Sequence, residues 1–161
     1  MATSPSFLDR LAAPNATPGG GSASAYAGAM AAALVEMCSG LSGAELAATK
    51  SRAGELRRDL EALVEEDERV FAEYLDKKSD DALRKATLVP VLIAEKSAEV
   101  LLLAQGAVSG VLKAAQPDLK GAMRLAGAAS EHAAATARYN LQSVPDEDFV
   151  KEIRLRLLRI P

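Results

Sequence analysis

One acid interrupts an otherwise apolar helical stripe. Leu56, Leu60, Leu63, Asp67, Val70 and Tyr74 recur at alternating four- and three-residue spacing, which sets them on one face of a helix with Phe71 beside them. Glu65, Glu66, Glu68 and Arg69 project mainly to other faces, where water solvates them. A carboxylate on the packed face must be hydrogen-bonded, ion-paired or protonated, because leaving it bare costs several kcal/mol, on the order of 2–7 for an unpaired polar group. Desolvation raises its pKa towards the range in which it gives and takes protons. The same placement suits a carboxylate that caps a neighbouring helix or pairs with an Arg. The stripe therefore nominates a site without naming a reaction.

The other chemistry-bearing residues are weaker singly. Thr17-Pro18-Gly19-Gly20-Gly21-Ser22 is a glycine-rich loop feeding a helix, able to offer backbone N–H groups to an anion or a polar ring, or to serve as a plain connector. It is not a phosphate-binding P-loop, because no Gly-Lys-Ser/Thr follows and no strand precedes it. His132 is the only histidine, which excludes a multi-histidine metal site and favours a surface or packed role. Asp118 follows Pro117 at a helix start, where a carboxylate stabilises the first turn with or without a ligand. Asn140, near the other end of that helix, suits a backbone cap or a ligand contact.

These groups need elements to hold them, and the composition specifies helices. Val, Ile and aromatics are sparse while Ala, Leu, Glu, Lys and Arg dominate, so the expected class is all-α, an up-and-down bundle of about five to seven helices. The 161 residues fit one domain spanning 1–161, large enough to bury a core without disulfides. A net charge of -3 gives no general attraction to nucleic acid or anionic membrane. The lone Cys38 rules out an internal disulfide and a cysteine-based zinc cage, and a reducing cytoplasm fits best. The apolar stretch 23–37 is interrupted by Ser24, Tyr26, Gly28 and Glu36, which reads as part of a soluble protein.

Ser6 with Asp9 predicts a short capped helix to about Ala12. After the glycine loop a second helix runs to about Ser39, its small residues repeating every four positions as Gly21, Ala25, Ala29, Ala33 and as Ser24, Gly28, Ala32. Such faces allow close packing within a subunit or between subunits. A third helix spans about Gly43 to Lys77, and a fourth starts near Asp81 with Pro90 inside it, predicting a kink at Ala86–Val89 and freed carbonyls nearby. Gln116-Pro117-Asp118 starts a fifth helix, and Ser143-Val144-Pro145-Asp146 precedes the last.

Taken in order, several stretches resemble the cyclodeaminase/cyclohydrolase family of folate enzymes. They are Phe7-Leu8-Asp9, Ala16 to Ser22 with the Ala-rich helix to Met37, Asp67 with Phe71, Ala86-Thr87-Leu88-Val89-Pro90, Asp118, and Arg138-Tyr139-Asn140-Leu141. The resemblance covers roughly Phe7 to Val150. It implies a cytoplasmic, homodimeric helical bundle that acts on a reduced folate without metal or other cofactor, with no nucleic-acid or membrane partner. Carried onto this chain, the family's essential carboxylate falls on Asp67. Pro18, Gly19, Gly20, Gly21 and Ser22, together with Thr87, Asp118 and Asn140, are the residues expected to orient the folate. The implied reaction is methenyltetrahydrofolate cyclohydrolysis or formiminotetrahydrofolate cyclodeamination. The chain departs from the family in lacking a basic run after the Gly-rich helix and in having Ala114, Pro117 and Thr136 at polar family positions. Those departures leave a second reading, a helical dimer of the same fold that binds folate or a partner without turnover.

Overall fold

The computed structural model describes residues 5–160 and contains six α-helices, within the expected range. They are α1 (Phe7–Ala12), α2 (Gly20–Leu41), α3 (Ala47–Lys77), α4 (Asp80–Ala107), α5 (Gln116–Asn140) and α6 (Glu147–Leu158), with no strand among the described residues. Short 3-10 turns at Ala44–Leu46, Lys113–Ala115 and Leu141–Ser143 join the helices, the first of them where α3 was expected to begin. Sequence signals fix the boundaries. Ser6 and Asp9 form a reciprocal capping box on α1. Lys78 closes α3 in the left-handed conformation (φ 46°), and Ser79 immediately caps α4.

Helices α2 to α5 run alternately up and down, each packed on its chain neighbours, and α5 closes the bundle against α2. Contacts along the helices set the register. Lys96 pairs with Asp59 and Arg52 with Glu99 between α3 and α4, while Ser130 Oγ donates to the Ala94 carbonyl between α5 and α4 at 2.9 Å. α6 lies on α4 through the two-pronged Arg156–Glu95 pair and through Arg84–Asp146. The core joins Leu56, Leu60 and Val70 of α3 to Val35, Val91, Ile93, Ala122 and Ala126. The two small-residue series on α2 are largely buried between α3 and α5, which accounts for their spacing as packing within one chain. Another face of α2 keeps Tyr26, Met30, Met37 and Leu41 exposed. This helix is long and apolar enough to cross a membrane by length and composition, yet half of its most apolar window is buried inside the protein.

α4 continues as one helix through Pro90, although proline in a helix interior costs about 3 kcal/mol relative to Ala. Pro90 has no N–H for the Ala86 carbonyl four residues earlier. That carbonyl instead accepts a hydrogen bond from the Asn140 side chain of α5 at 3.0 Å. The prediction of a freed carbonyl holds, and its partner comes from across the bundle.

Candidate active site

The glycine loop determines where Asp67 sits. α2 begins at Gly20 behind a glycine N-cap that has no side chain to offer, so the N–H groups of its first turn look outside the helix for partners. A Cβ on Gly21 would overlap Asp67 Oδ1, and only glycine lets the backbone press against the acid. Ser22 then donates its hydroxyl to Asp67 Oδ2 at 2.7 Å. The apolar stripe holds α3 in place while α2 supplies the polar contact, and Asp67 remains 8% exposed.

Burial pushes the Asp67 carboxyl above its ordinary value, and the negative charge of Glu68 adds to the rise. The Ser22 hydroxyl and N–H oppose it by stabilising the ionised form. No Arg or Lys pairs with Asp67 among the described residues, so the buried-ion-pair alternative does not describe it. Asp67 is therefore a desolvated acid held by the hydroxyl and N–H of Ser22 in the first turn of α2, the capping placement its position on the stripe allowed.

A cleft of about 160 Å³ opens in front of it, lined by Ala16, Thr17, Gly19, Gly20, Gly21, Asp67, Phe71, Ala86, Pro90, Thr136 and Asn140. Four helices and the loop before α2 thus meet at one end of the bundle. A larger hollow of about 290 Å³ lies between Arg138 of α5 and Arg154 of α6, and its lining contains no acid. The smaller cleft, where a buried acid, uncapped amides and a side-chain amide converge, is the one equipped for chemistry.

The fold brings together Gly19, Gly20, Gly21, Asp67 and Asn140 of the residues nominated from sequence. Pro18 is buried beside the cleft without lining it, behind a cis Thr17–Pro18 bond. Three expectations are corrected. Ser22 does not reach towards a ligand, because it is fully buried and its hydroxyl is committed to Asp67. Thr87 is fully buried and donates to the Leu83 carbonyl at 2.8 Å, so it fills α4 instead of facing the cleft. Asp118 stands at the opposite end of α5, about 33 Å along the axis from Asn140 at 1.5 Å per residue. One chain does not bring that pair around one ligand.

Thr17 and Pro90 were missed as lining residues. Thr17 Oγ1 is buried without a partner among the described residues. Its adjacency to the glycine loop was the available signal. Thr136 also lines the cleft, with its hydroxyl donated to the His132 carbonyl. His132 lies exposed in the groove between α5 and the start of α2, its Nδ1 3.0 Å from Ser24 Oγ. Among the described residues, no three His, Cys, Asp or Glu side chains gather closely enough to hold a metal ion.

Comparison with known proteins addresses the family directly. The formiminotransferase-cyclodeaminase family model matches residues 3–158. The chain belongs to this family. A methenyltetrahydrofolate cyclohydrolase of Methylorubrum extorquens is 35% identical over 124 residues, a match taking in 62% of this chain and 60% of that relative. The chain thus pairs with about 60% of the length of the curated relative it matches. The crystal structure of formiminotetrahydrofolate cyclodeaminase from Thermotoga maritima superposes with a TM-score of 0.88 over 94% of this chain and 84% of that one, at 24% identity. At that identity the superposition establishes the shared fold. In this member of the formiminotransferase-cyclodeaminase family, the cleft is lined by residues from the glycine loop, by Asp67, by Ala86 and Pro90 and by Asn140.

Proposed function

We propose that this chain is a folate one-carbon enzyme whose leading activity is methenyltetrahydrofolate cyclohydrolysis, with Asp67 as general acid/base. The observation that carries the reading is a single desolvated carboxyl, raised in pKa and held by Ser22, facing a cleft rimmed by backbone donors. Water attacks the methenyl carbon as Asp67 accepts its proton. The tetrahedral carbon then loses one of its two C–N bonds: Asp67 returns its proton to the departing nitrogen, and the hydroxyl on that carbon releases its own proton to solvent as the formyl C=O forms. The products are an open formyltetrahydrofolate and a regenerated carboxylate. Proton transfer by a positioned group of this kind contributes about 10²–10⁴-fold.

The same acid serves cyclodeamination, in which one folate nitrogen attacks the formimino carbon on the other and ammonia leaves with the transferred proton. Similarity to the Methylorubrum cyclohydrolase favours water as the first reaction to test. The Gly19–Gly21 amides and Asn140 orient the folate, and neither metal nor redox cofactor enters either scheme. The protein works in the cytoplasm as a homodimer, a state supported by the exposed Tyr26, Met30, Met37 and Leu41 on α2.

The test is steady-state absorbance with methenyltetrahydrofolate against its spontaneous hydrolysis. Acceleration that disappears in Asp67→Asn supports the cyclohydrolase. Absence of acceleration overturns it and moves the assay to formiminotetrahydrofolate. Inactivity there too leaves the non-catalytic binding dimer.

A further inference from the structure

We infer that Pro90 is a positioning residue for Asn140: by withholding an N–H from the Ala86 carbonyl, it makes that carbonyl the anchor that fixes which end of the Asn140 amide faces the cleft. The ligand edge at this point must then be a hydrogen-bond donor, such as a ring N–H or amino group.

The geometry gives the direction. A carbonyl only accepts, so the Asn140 group meeting Ala86 O at 3.0 Å is its NH₂. Asn140 Oδ1 then points away from the anchor. It has no protein partner among the described residues and is not among the buried unpartnered atoms. Asn140, Ala86 and Pro90 all line the same cleft as Asp67. In an unbroken helix the N–H of residue 90 would occupy the Ala86 carbonyl. The amide would then share that carbonyl with a backbone donor, as Ser130 shares the Ala94 carbonyl, and the contact that distinguishes its two ends would weaken. Pro90 stands in a helix interior, where Ala would favour the fold. Its placement therefore trades helix stability for a fixed acceptor. No titratable group is involved, so the effect belongs to binding more than to the proton-transfer step.

The identity of the ligand rests on the folate reading, whereas the Pro90–Ala86–Asn140 coupling does not. Pro90→Ala is expected to raise Tm by about 3 °C or more while raising KM for methenyltetrahydrofolate by about 5-fold, the loss of one neutral hydrogen bond. The kcat stays within about twofold, since Asp67 is untouched. Asn140→Ala raises KM similarly but lowers Tm, because Ala86 O loses its donor. Asn140→Asp, similar in size but unable to donate when ionised, follows Asn140→Ala in Tm and KM. In Pro90→Ala/Asn140→Ala, Tm recovers to at least the wild-type value and KM rises no further than in either single variant.

An unchanged KM in Pro90→Ala overturns the positioning role, and additive Tm changes overturn the coupling. If wild type turns over neither folate, the proposed function falls while the Tm cycle still decides whether Pro90 and Asn140 act together.

Discussion

The two ends of the bundle treat their polar atoms differently. At the end opposite the cleft, Ser42 Oγ donates to the Cys38 carbonyl at 2.6 Å and accepts from the Leu112 N–H, and Cys38 Sγ points to the Ala115 carbonyl. Turn and helix ends there mostly satisfy each other, with Ser39 Oγ the buried exception. At the cleft end, the glycine N-cap of α2 offers its first amides no side chain, Asp67 faces the cleft held only by Ser22, and Thr17 Oγ1 is buried without a partner. Both ends are built from the same four helices. A closed helical end thus completes its own hydrogen bonds, while the cleft end leaves several of its polar groups without partners in the chain.

The largest test of this contrast is Asp67→Asn, expected to lower kcat by about 10²–10⁴-fold with the fold retained. The pH dependence of its stability has a definite sign. Asp67 has a raised pKa in the folded protein, so the native state holds its proton to higher pH than the unfolded chain does. That stabilising contribution is present below the ordinary carboxylate range and is lost as pH rises through the raised value. Thermal melts should therefore find Asp67→Asn more stable than wild type at neutral pH, with the gap closing towards about pH 4. A constant gap across that range would deny the shift.

Gly21→Ala comes next. Its Cβ collides with the carboxylate and should reduce kcat by about tenfold or more, as expected when a 1 Å displacement disturbs the reacting geometry. Gly43→Ala is the matched change at the far end. There φ is 105° with open space around it, so strain of about 1 kcal/mol should lower Tm and leave kcat unchanged. Equal kinetic effects of the two would erase the distinction between the ends.

Ser22→Ala is subtler, removing one hydrogen bond that favours ionised Asp67. The acidic limb of the kcat/KM profile should move to higher pH, with a loss of about 5-fold on that limb. A shift to lower pH would contradict the arrangement. The smallest effect is expected from Asp118→Asn, worth about 0.3–1 kcal/mol of helix-terminus stabilisation with kcat/KM intact. A large kinetic loss there would mean that a second copy carries Asp118 to the cleft.

Much of this site could be read from the sequence because local patterns encode it. Asp67 breaks an apolar period, the glycines mark a close approach, and Pro90 announces a freed carbonyl. What escaped reading depended on distance through space. Nothing in the sequence says that a carbonyl at 86 meets an amide at 140, because helix register across the bundle decides it. Thr87 looked available beside the proline, yet its orientation on α4 turns it inward to bond Leu83. Asp118 and Asn140 were grouped by resemblance, although one helix carrying both must hold them some six turns apart. Ser22 shows a subtler limit: its place was readable, but its commitment to Asp67 was not.

The up-and-down order of the helices bears on when the cleft comes into being. Neighbouring helices can pair as the chain collapses, since most of their contacts are between consecutive elements. The cleft also needs Gly21 from the first long helix and Asn140 from the fourth, 119 positions apart, and so waits for α5 to close onto α2. A partly folded chain can therefore be mostly helical and still hold no assembled pocket. Ligand binding would report the last step of assembly, and a folate analogue added during refolding would register only molecules whose bundle has closed.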